Sequence, residues 1–176
     1  MKLIEALKKV KDLQRKADDI RGKIAVNCAD LDAESPAYGT VDAQTKQIAE
    51  WLQAHSDILK EIEGLRLSIQ RTNLAVDVSV EVVDGKYVLK SMAAWIHRRK
   101  DLSKLEALAW SGLTNRNLKP LNYKPVQMGE EVKVANIRKF YDQKERDTKV
   151  ENFTSEPSRI DAALEIANAV TDIVEK

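Results

Sequence analysis

The stretch that decides the fold is the first one, MKLIEALKKVKDLQRKADDIRGKI (residues 1–24). Its apolar residues recur at steps of three or four, which is the spacing of one face of an α-helix. The members of this stripe are Leu3, Leu7, Val10, Leu13, Ala17, Ile20 and Ile24. The pattern predicts a helix over about residues 2–28, with Gln14 and Arg21 on the same stripe.

A second apolar stripe follows the segment DLDAESPAYGT (residues 30–40), whose proline and glycine mark a turn. Its members are Ile48, Trp51, Leu52, Ile58, Leu59, Ile62, Leu65 and Ile69. Two successive amphipathic helices predict a long antiparallel helical hairpin over residues 1–73, similar to a coiled coil. Polar residues on such a stripe, here Arg66 and Asn73, are typical of positions that set register and oligomeric state.

The pattern changes to that of β-structure after residue 73. In VDVSVEVVDGKYVLK (residues 76–90), valine alternates with polar residues on both sides of Asp84–Gly85. Alternation around an Asp-Gly pair is a strong signal for two strands joined by a tight turn. We therefore expect a β-hairpin over residues 74–90.

The remainder, residues 91–176, is predicted to hold further helices and a long loop at residues 113–131. Ser91 is suited to cap a third helix, and Ser155 with Pro157 is suited to begin the last one. A short strand is predicted in EVKVANIRKFY and a short separate helix in DQKERDTKVENF. The fold class is thus mainly α, in a single helical domain over residues 1–176 that is oligomeric.

Composition excludes several classes of function. The 29 basic residues nearly cancel the 28 acidic ones, which argues against broad, nonspecific binding of nucleic acid but leaves a local basic patch open. The single cysteine, Cys28, excludes a disulfide framework and is typical of a reducing compartment. The chain contains no apolar run of the roughly 20 residues that span a membrane. The sequence therefore predicts a cytoplasmic protein with no membrane partner.

The best candidate for a ligand site lies on the third predicted helix. At about 100° per residue, Arg98 and Arg99 flank Trp95 on either side of the apolar stripe. A guanidinium grips phosphate or carboxylate through two hydrogen bonds, and an indole offers a stacking surface. These three residues predict a nucleotide-like ligand, and Arg66 and Asn73 are secondary candidates. The alternative is that the arginines pair with carboxylates inside an oligomer, because an unpaired buried charge is costly.

Motifs for other chemistry are missing from the sequence. His55 and His97 are the only histidines, and neither has the neighbours that a metal site needs. There is no glycine-rich phosphate loop and no nucleophile–histidine–acid arrangement. We therefore expect a protein that is not an enzyme, with no metal and no cofactor.

One loop segment, NRNLKPLNYKP (residues 115–125), interleaves basic residues with a tyrosine. Arg116, Lys119 and Lys124 surround Tyr123, and such a pattern can follow a nucleic-acid backbone. Three charges are a weak signal, and an ordinary surface loop explains them as well.

The chain resembles the septicolysin-like proteins, a family of helical proteins from bacteria and phages. The matching segments are MKLIEALKKVKDLQRKADDIRGKI with VNC after it, IQRTN, SMAAWIHRRKDLSKLEAL and SEPSRIDAALEIANAVTDIVE. They occur in the same order, and the resemblance extends over most of the chain. The resemblance implies a helical hairpin protein that forms symmetric homo-oligomers, expected to be hexamers.

Family members in phages suggest a more specific hypothesis, which is an anti-defence sponge that sequesters a host immune nucleotide. Such a protein would act in the cytoplasm of the host. The leading interpretation is therefore a non-enzymatic homo-oligomer that binds a nucleotide or cyclic nucleotide. The alternative is a structural or scaffolding helical oligomer with no small-molecule ligand.

Overall fold

The computed structural model describes residues 1–123 and 133–174. It is mainly helical and contains a two-stranded antiparallel hairpin, which confirms the predicted fold class at this level. In chain order, the helices and strands are α1 (Leu3–Asn27), α2 (Val41–Ala75), β1 (Asp77–Val83), β2 (Lys86–Ser91), α3 (Met92–His97), a π-helical turn (Arg98–Leu102), α4 (Ser103–Ser111), β3 (Leu121–Tyr123), β4 (Lys133–Ala135) and α5 (Gln143–Val170).

The chain divides into two compact units. The first contains Met1–Val78, Ser91–Ala93 and the described chain from Leu164 onward. The second contains Ser79–Lys90 and the described part of Ala94–Ala163. The single domain over residues 1–176 stays a prediction. No helix within the described ranges is both long and apolar enough to cross a membrane.

In the first unit, α1 packs against α2. The side chain of Gln44 donates a hydrogen bond to the carbonyl of Asn27 at 2.7 Å, and Lys9 Nζ lies 2.7 Å from a carboxylate oxygen of Glu61. The start of α2 therefore lies beside the end of α1, and the chain runs back along it. The buried residues of α1 are Leu3, Ala6, Val10, Leu13 and Ala17, most of them members of the predicted stripe.

The β-hairpin lies where the sequence predicts it, with Asp84–Gly85 in its turn. Gly85 has a φ of +75°, which glycine adopts without the steric cost that a Cβ brings. Its amide donates to a carboxylate oxygen of Glu81 at 2.7 Å. Arg159 of α5 donates from Nη1 to the carbonyl of Val82 at 2.8 Å, so the hairpin is bound to α5 of its own chain.

Two glycines allow a paired test of these backbone conformations. Gly85→Ala is expected to lower the free energy of unfolding by about 1 kcal/mol, because alanine at positive φ is strained. Gly64→Ala is expected to raise it by about 0.5–1 kcal/mol, because alanine favours the interior of α2 and its Cβ meets no atom within 4 Å. Denaturant titration measures both, and equal signs would contradict the assigned conformations.

The last helix is longer than the sequence predicts. α5 runs without a break from Gln143 to Val170 and contains Pro157. The prediction that Ser155 caps a helix beginning at Pro157 is therefore wrong, as is the prediction of a separate short helix before it. The helix is capped instead by Asp142, whose side chain accepts a hydrogen bond from the amide of Glu145 at 2.6 Å.

Burial explains why the helix continues through the proline. Pro157 has no N–H and cannot donate to the carbonyl four residues earlier, which costs about 3 kcal/mol in an isolated helix. On both sides of it, side chains of α5 are almost fully buried: Glu156 is 3% exposed, Ile160 0% and Leu164 3%. Packing of this face offsets the local cost of the proline.

The predicted loop at residues 113–131 is also more structured than expected. It contains β3, which pairs with β4 in antiparallel register with Leu121 opposite Ala135. β4 confirms the short strand predicted in this part of the chain. The rest of the predicted loop, from residue 124 onward, lies outside the described residues. Because β3 and β4 are antiparallel, the chain entering β3 and the chain leaving β4 lie at the same end of the pair.

Candidate ligand-binding site

The predicted third helix is interrupted by the π-helical turn Arg98–Leu102. At this turn the amide of Ser103 donates to the carbonyl of Arg98, five residues earlier rather than the four of an α-helix. The π turn thus inserts one extra residue into the helix. The prediction of one continuous α-helix is therefore wrong, whereas its predicted start is correct, because α3 begins at Met92, directly after Ser91.

The inserted residue moves the buried face of the helix by one position. Before the turn, Met92 and Trp95 are buried, as predicted. After it, the predicted stripe residues Leu102 and Leu105 are 45% and 58% exposed, whereas Ser103 is 0% exposed. A helical wheel that starts at Trp95 and advances a constant 100° per residue therefore predicts the wrong buried face for α4.

Two carboxylates hold the guanidinium of Arg98. Its Nε donates to Glu156 at 2.6 Å and its Nη1 donates to Glu106 at 2.9 Å. The second oxygen of Glu156 accepts a hydrogen bond from the Ser103 hydroxyl at 2.7 Å. The hydrogen bond to Glu156 is the main reason that the pKa of Arg98 lies above its usual value. The π turn stacks Arg98 and Ser103 one turn apart, which lets both reach the same carboxylate.

Trp95 and Arg99, the other two main candidates for ligand binding, are also occupied by contacts within the chain. Trp95 is 0% exposed, so its indole presents no open face for a ligand to stack on. Arg99 Nη1 lies 2.7 Å from a carboxylate oxygen of Asp161. Like Glu156, Asp161 belongs to α5. The carboxylates considered as partners for these arginines are thus present within a single chain.

The secondary candidates lie in the first unit. Arg66 is exposed and lines a groove of about 410 Å³ between α1 and α2, together with Arg21 and His55. Arg21 Nη2 lies 3.1 Å from a carboxylate oxygen of Asp18 in the same helix. Asn73 is half-buried near the end of α2. Each unit thus holds its own subset of the predicted site residues.

A cleft in the second unit brings together residues that the sequence analysis did not select. It has a volume of about 260 Å³ and lies between the β-hairpin, the π turn and α5; it is called the hairpin cleft below. Its charged and aromatic lining residues are Lys86, Lys90, Arg98, Lys149, Phe153 and Glu156.

The hairpin cleft is strongly cationic. Glu156, its single carboxylate among the lining residues, is already bonded to Arg98 and Ser103. The three lysines form no ion pair with any residue in the described ranges. Lys90 Nζ lies 5.0 Å from the centroid of the Trp95 ring, an attractive contact that still leaves the ammonium hydrogens for other acceptors.

Part of this arrangement could be found in the sequence. Lys86 and Lys90 are four residues apart on β2, and alternation puts them on the same face of the strand. Lys149 could not be added to them, because the predicted break before Pro157 separated it from the last helix. The sequence thus indicates two lysines on one face of the β-hairpin. It does not indicate that α5 forms the opposite side of the cleft.

No group of His, Cys, Asp and Glu side chains that could hold a metal ion occurs among the described residues. The hairpin cleft offers ammonium and guanidinium donors, one committed carboxylate and an aromatic ring. This set can hold phosphate or carboxylate oxygens through charge-assisted hydrogen bonds.

Comparison with known proteins identifies the fold and no function. No family model matches the chain, and no curated protein matches it. The crystal structure of a functionally unknown conserved protein from Corynebacterium diphtheriae is similar, with a TM-score of 0.56 and 20% identity over 99% of each chain. At this identity the similarity shows a shared fold alone.

Proposed function

We propose that this protein binds a small anionic ligand in the hairpin cleft and catalyses no reaction on it. One observation carries the proposal: Lys86, Lys90 and Lys149 line one cleft whose only carboxylate, among the described lining residues, is bonded to Arg98. Like charges held close together repel one another, and a bound anion removes that repulsion. Lysine ammonium groups suit phosphate, which they bind as point charges.

A nucleotide-type ligand fits the mixed character of the cleft. Val82, Val88 and Phe153 line it beside the cations and offer apolar contact to a base or ribose. The volume of about 260 Å³ lies just below the roughly 300 Å³ at which typical small-molecule sites begin. The ligand is therefore small, of the size of a mononucleotide or its phosphate part, and Phe153 rather than Trp95 contacts its base.

A homo-oligomer is part of the same proposal. Leu52 and Leu59, seven residues apart on α2, are 55% and 48% exposed, and Leu59 lines the groove between α1 and α2. A seven-residue repeat of exposed leucines is typical of helices that pack in a coiled-coil manner. It supports the proposal of a homo-oligomer. A hexamer of the septicolysin-like kind, in which a phage protein would sequester a host immune nucleotide, is the more specific form of this hypothesis.

Lys149→Ala is expected to weaken binding of AMP or inorganic pyrophosphate roughly 10- to 150-fold, since a lost charge-assisted hydrogen bond costs about 1.5–3 kcal/mol. Isothermal titration calorimetry measures the dissociation constant of each probe. Lys16→Ala removes an exposed lysine of α1, in the other unit, and should leave both constants unchanged. Equal losses for the two variants would contradict the assignment to the hairpin cleft.

Native mass spectrometry of gently purified protein complements this titration. A bound mass of a few hundred daltons for each chain, lost in Lys149→Ala, would support the proposal and identify the ligand class. A protein that carries no ligand and binds neither probe would contradict it.

The second candidate function is a scaffolding oligomer with no small ligand. The observation that favours it is that Arg98 and Arg99 are already paired with Glu156 and Asp161, so these arginines require no anion. Leu59→Glu places a charge on the proposed oligomer contact and separates the two functions. Light scattering measures the mass of the assembly. Loss of the oligomer with AMP binding retained supports the ligand-binding function, whereas loss of the oligomer in a protein that never binds AMP supports scaffolding.

A further inference from the structure

A second basic surface lies where the chain enters β3 and leaves β4. The antiparallel register, with Leu121 opposite Ala135, brings residues 112–118 and residues 137–141 to the same end of the strand pair. Together these segments line a pocket of about 350 Å³ in the second unit. It is called the strand-end pocket below, and it is distinct from the hairpin cleft in every lining residue.

The strand-end pocket is lined by cations and aromatic rings. Its cations are Arg116, Arg138 and Lys139, and no carboxylate is found among its described lining residues. Phe140 is 90% exposed, which is exceptional for so apolar a side chain. Lys139 Nζ lies 5.8 Å from the centroid of the Tyr141 ring, which holds the ammonium beside a second aromatic face.

Of the carboxylates beside the pocket, Asp147 lies near Lys139 but is ion-paired with Arg146. Asp142 follows Tyr141 directly, but its side chain accepts the hydrogen bond from the amide of Glu145 that caps α5. Its negative charge therefore faces the positive end of the helix dipole. Lys139 Nζ donates one hydrogen bond to Gln143 Oε1 at 2.9 Å and keeps its other hydrogens. All three cations of the pocket can therefore still contact an external anion.

The backbone beside the pocket is held in an uncommon conformation. Arg116 and Asn117 have φ values of 55° and 57°, in the left-handed region. Asparagine tolerates this region, whereas arginine rarely adopts it, and such residues are found preferentially at binding sites. The Arg116 amide donates to the Thr114 hydroxyl at 3.1 Å and the Asn117 amide donates to the Asn115 side chain at 3.2 Å, which fixes the turn.

We propose that the strand-end pocket binds single-stranded nucleic acid. Phe140 stacks on an unpaired base, and Arg116, Arg138 and Lys139 contact the phosphates on either side of it. Every base has an aromatic face, so a stacking ring beside a basic groove binds single strands with little sequence preference. In a duplex those faces are covered by neighbouring base pairs, so the pocket should bind a duplex more weakly than a single strand.

A local basic surface is compatible with the balanced composition of the chain. The near balance of the 29 basic and 28 acidic residues argues against a broad interface, but it does not constrain a local surface. The segment NRNLKPLNYKP supplies only Arg116 to the basic set named above, and IRKFY supplies the other two cations and both rings. The cations and aromatic rings of the pocket thus come from two separate segments, which the pairing of β3 with β4 brings together.

Fluorescence anisotropy with labelled oligothymidine tests the proposal, with a duplex of the same length as the comparison. We expect the single strand to bind more tightly than the duplex. Its affinity should fall with salt, with a logarithmic slope of about −2 if each of three phosphate contacts contributes about 0.7. Phe140→Ala should weaken binding roughly 5- to 150-fold, the range for one stacked base.

Two control variants make the result specific. Tyr87→Ala removes another aromatic side chain, 64% exposed on β2, and should leave oligothymidine binding unchanged. Lys149→Ala, which weakens ligand binding in the hairpin cleft, should also leave it unchanged. Circular dichroism verifies that Phe140→Ala is folded.

Equal affinity for the single strand and the duplex would overturn the proposal. So would a folded Phe140→Ala variant that binds oligothymidine as tightly as the original protein, or binding that does not depend on salt. None of these outcomes bears on the hairpin cleft, whose probes are AMP and pyrophosphate.

Discussion

Glu156→Ala is expected to lower the free energy of unfolding by about 3–5 kcal/mol, the range for breaking a buried ion pair. The Glu156 side chain is 4% exposed and that of Arg98 is 16% exposed. Removing the carboxylate leaves Arg98 with Glu106 alone and leaves the buried Ser103 hydroxyl without its acceptor. Denaturant titration of the two proteins measures the difference.

Asp161→Ala is the matched control, because it removes a carboxylate of the same helix from a neighbouring arginine. The Arg99–Asp161 pair is 40% and 59% exposed, and exposed pairs contribute about 0–1 kcal/mol. Comparable losses from Asp161→Ala and Glu156→Ala would contradict the special role of burial. The double variant Arg98→Met with Glu156→Leu should recover much of the loss, because it leaves no buried unpaired charge. Glu106, which loses its contact with Arg98, is 44% exposed and is solvated by water.

Trp95→Ala is expected to lower the free energy of unfolding by about 3–5 kcal/mol, the range for removing a fully buried large aromatic side chain. In thermal melts this corresponds to a decrease of about 6–20 °C, at roughly 2–4 °C for each kcal/mol. Tyr87→Ala, at a 64% exposed position, should change stability by no more than about 0.5 kcal/mol.

The Trp95→Ala variant separates the two roles considered for Trp95, which are a core residue and a stacking surface for a ligand. A residue that only stacks on a ligand would lose AMP binding on substitution with little change in the melting temperature. A core residue lowers the melting temperature whether or not a ligand is present. A stable Trp95→Ala protein that no longer binds AMP would contradict the structural role argued from its complete burial.

The elements that could be predicted from sequence are those with local signals. α1 and α2 follow from apolar residues at helical spacing, and the β-hairpin follows from alternation around Asp84–Gly85. These patterns are determined by neighbours within a few residues. Pro157 also gives a local signal, but there it misleads, because burial of the Glu156–Ile160 face offsets the cost of the proline.

The candidate site depends on contacts between distant segments, and this explains the incorrect predictions. Arg98 and Glu156 are 58 positions apart in the chain, so no spacing rule could identify them as partners. The hairpin cleft likewise combines Lys90 of β2 with Lys149 of α5. The sequence does not specify that this strand and this helix pack together. The sequence indicates that these arginines require a counter-charge, but it does not identify α5 as the source of that charge.

The π-helical turn acts as a one-residue insertion when this chain is aligned with a homologue whose helix is α-helical throughout. An alignment without a gap at residues 98–102 pairs buried Ser103 with an exposed position and displaces every residue of α4 after it. One gap there restores the correspondence of the buried faces. Homologues that are one residue shorter in this stretch are expected to lack both the π turn and the acidic residue equivalent to Glu156.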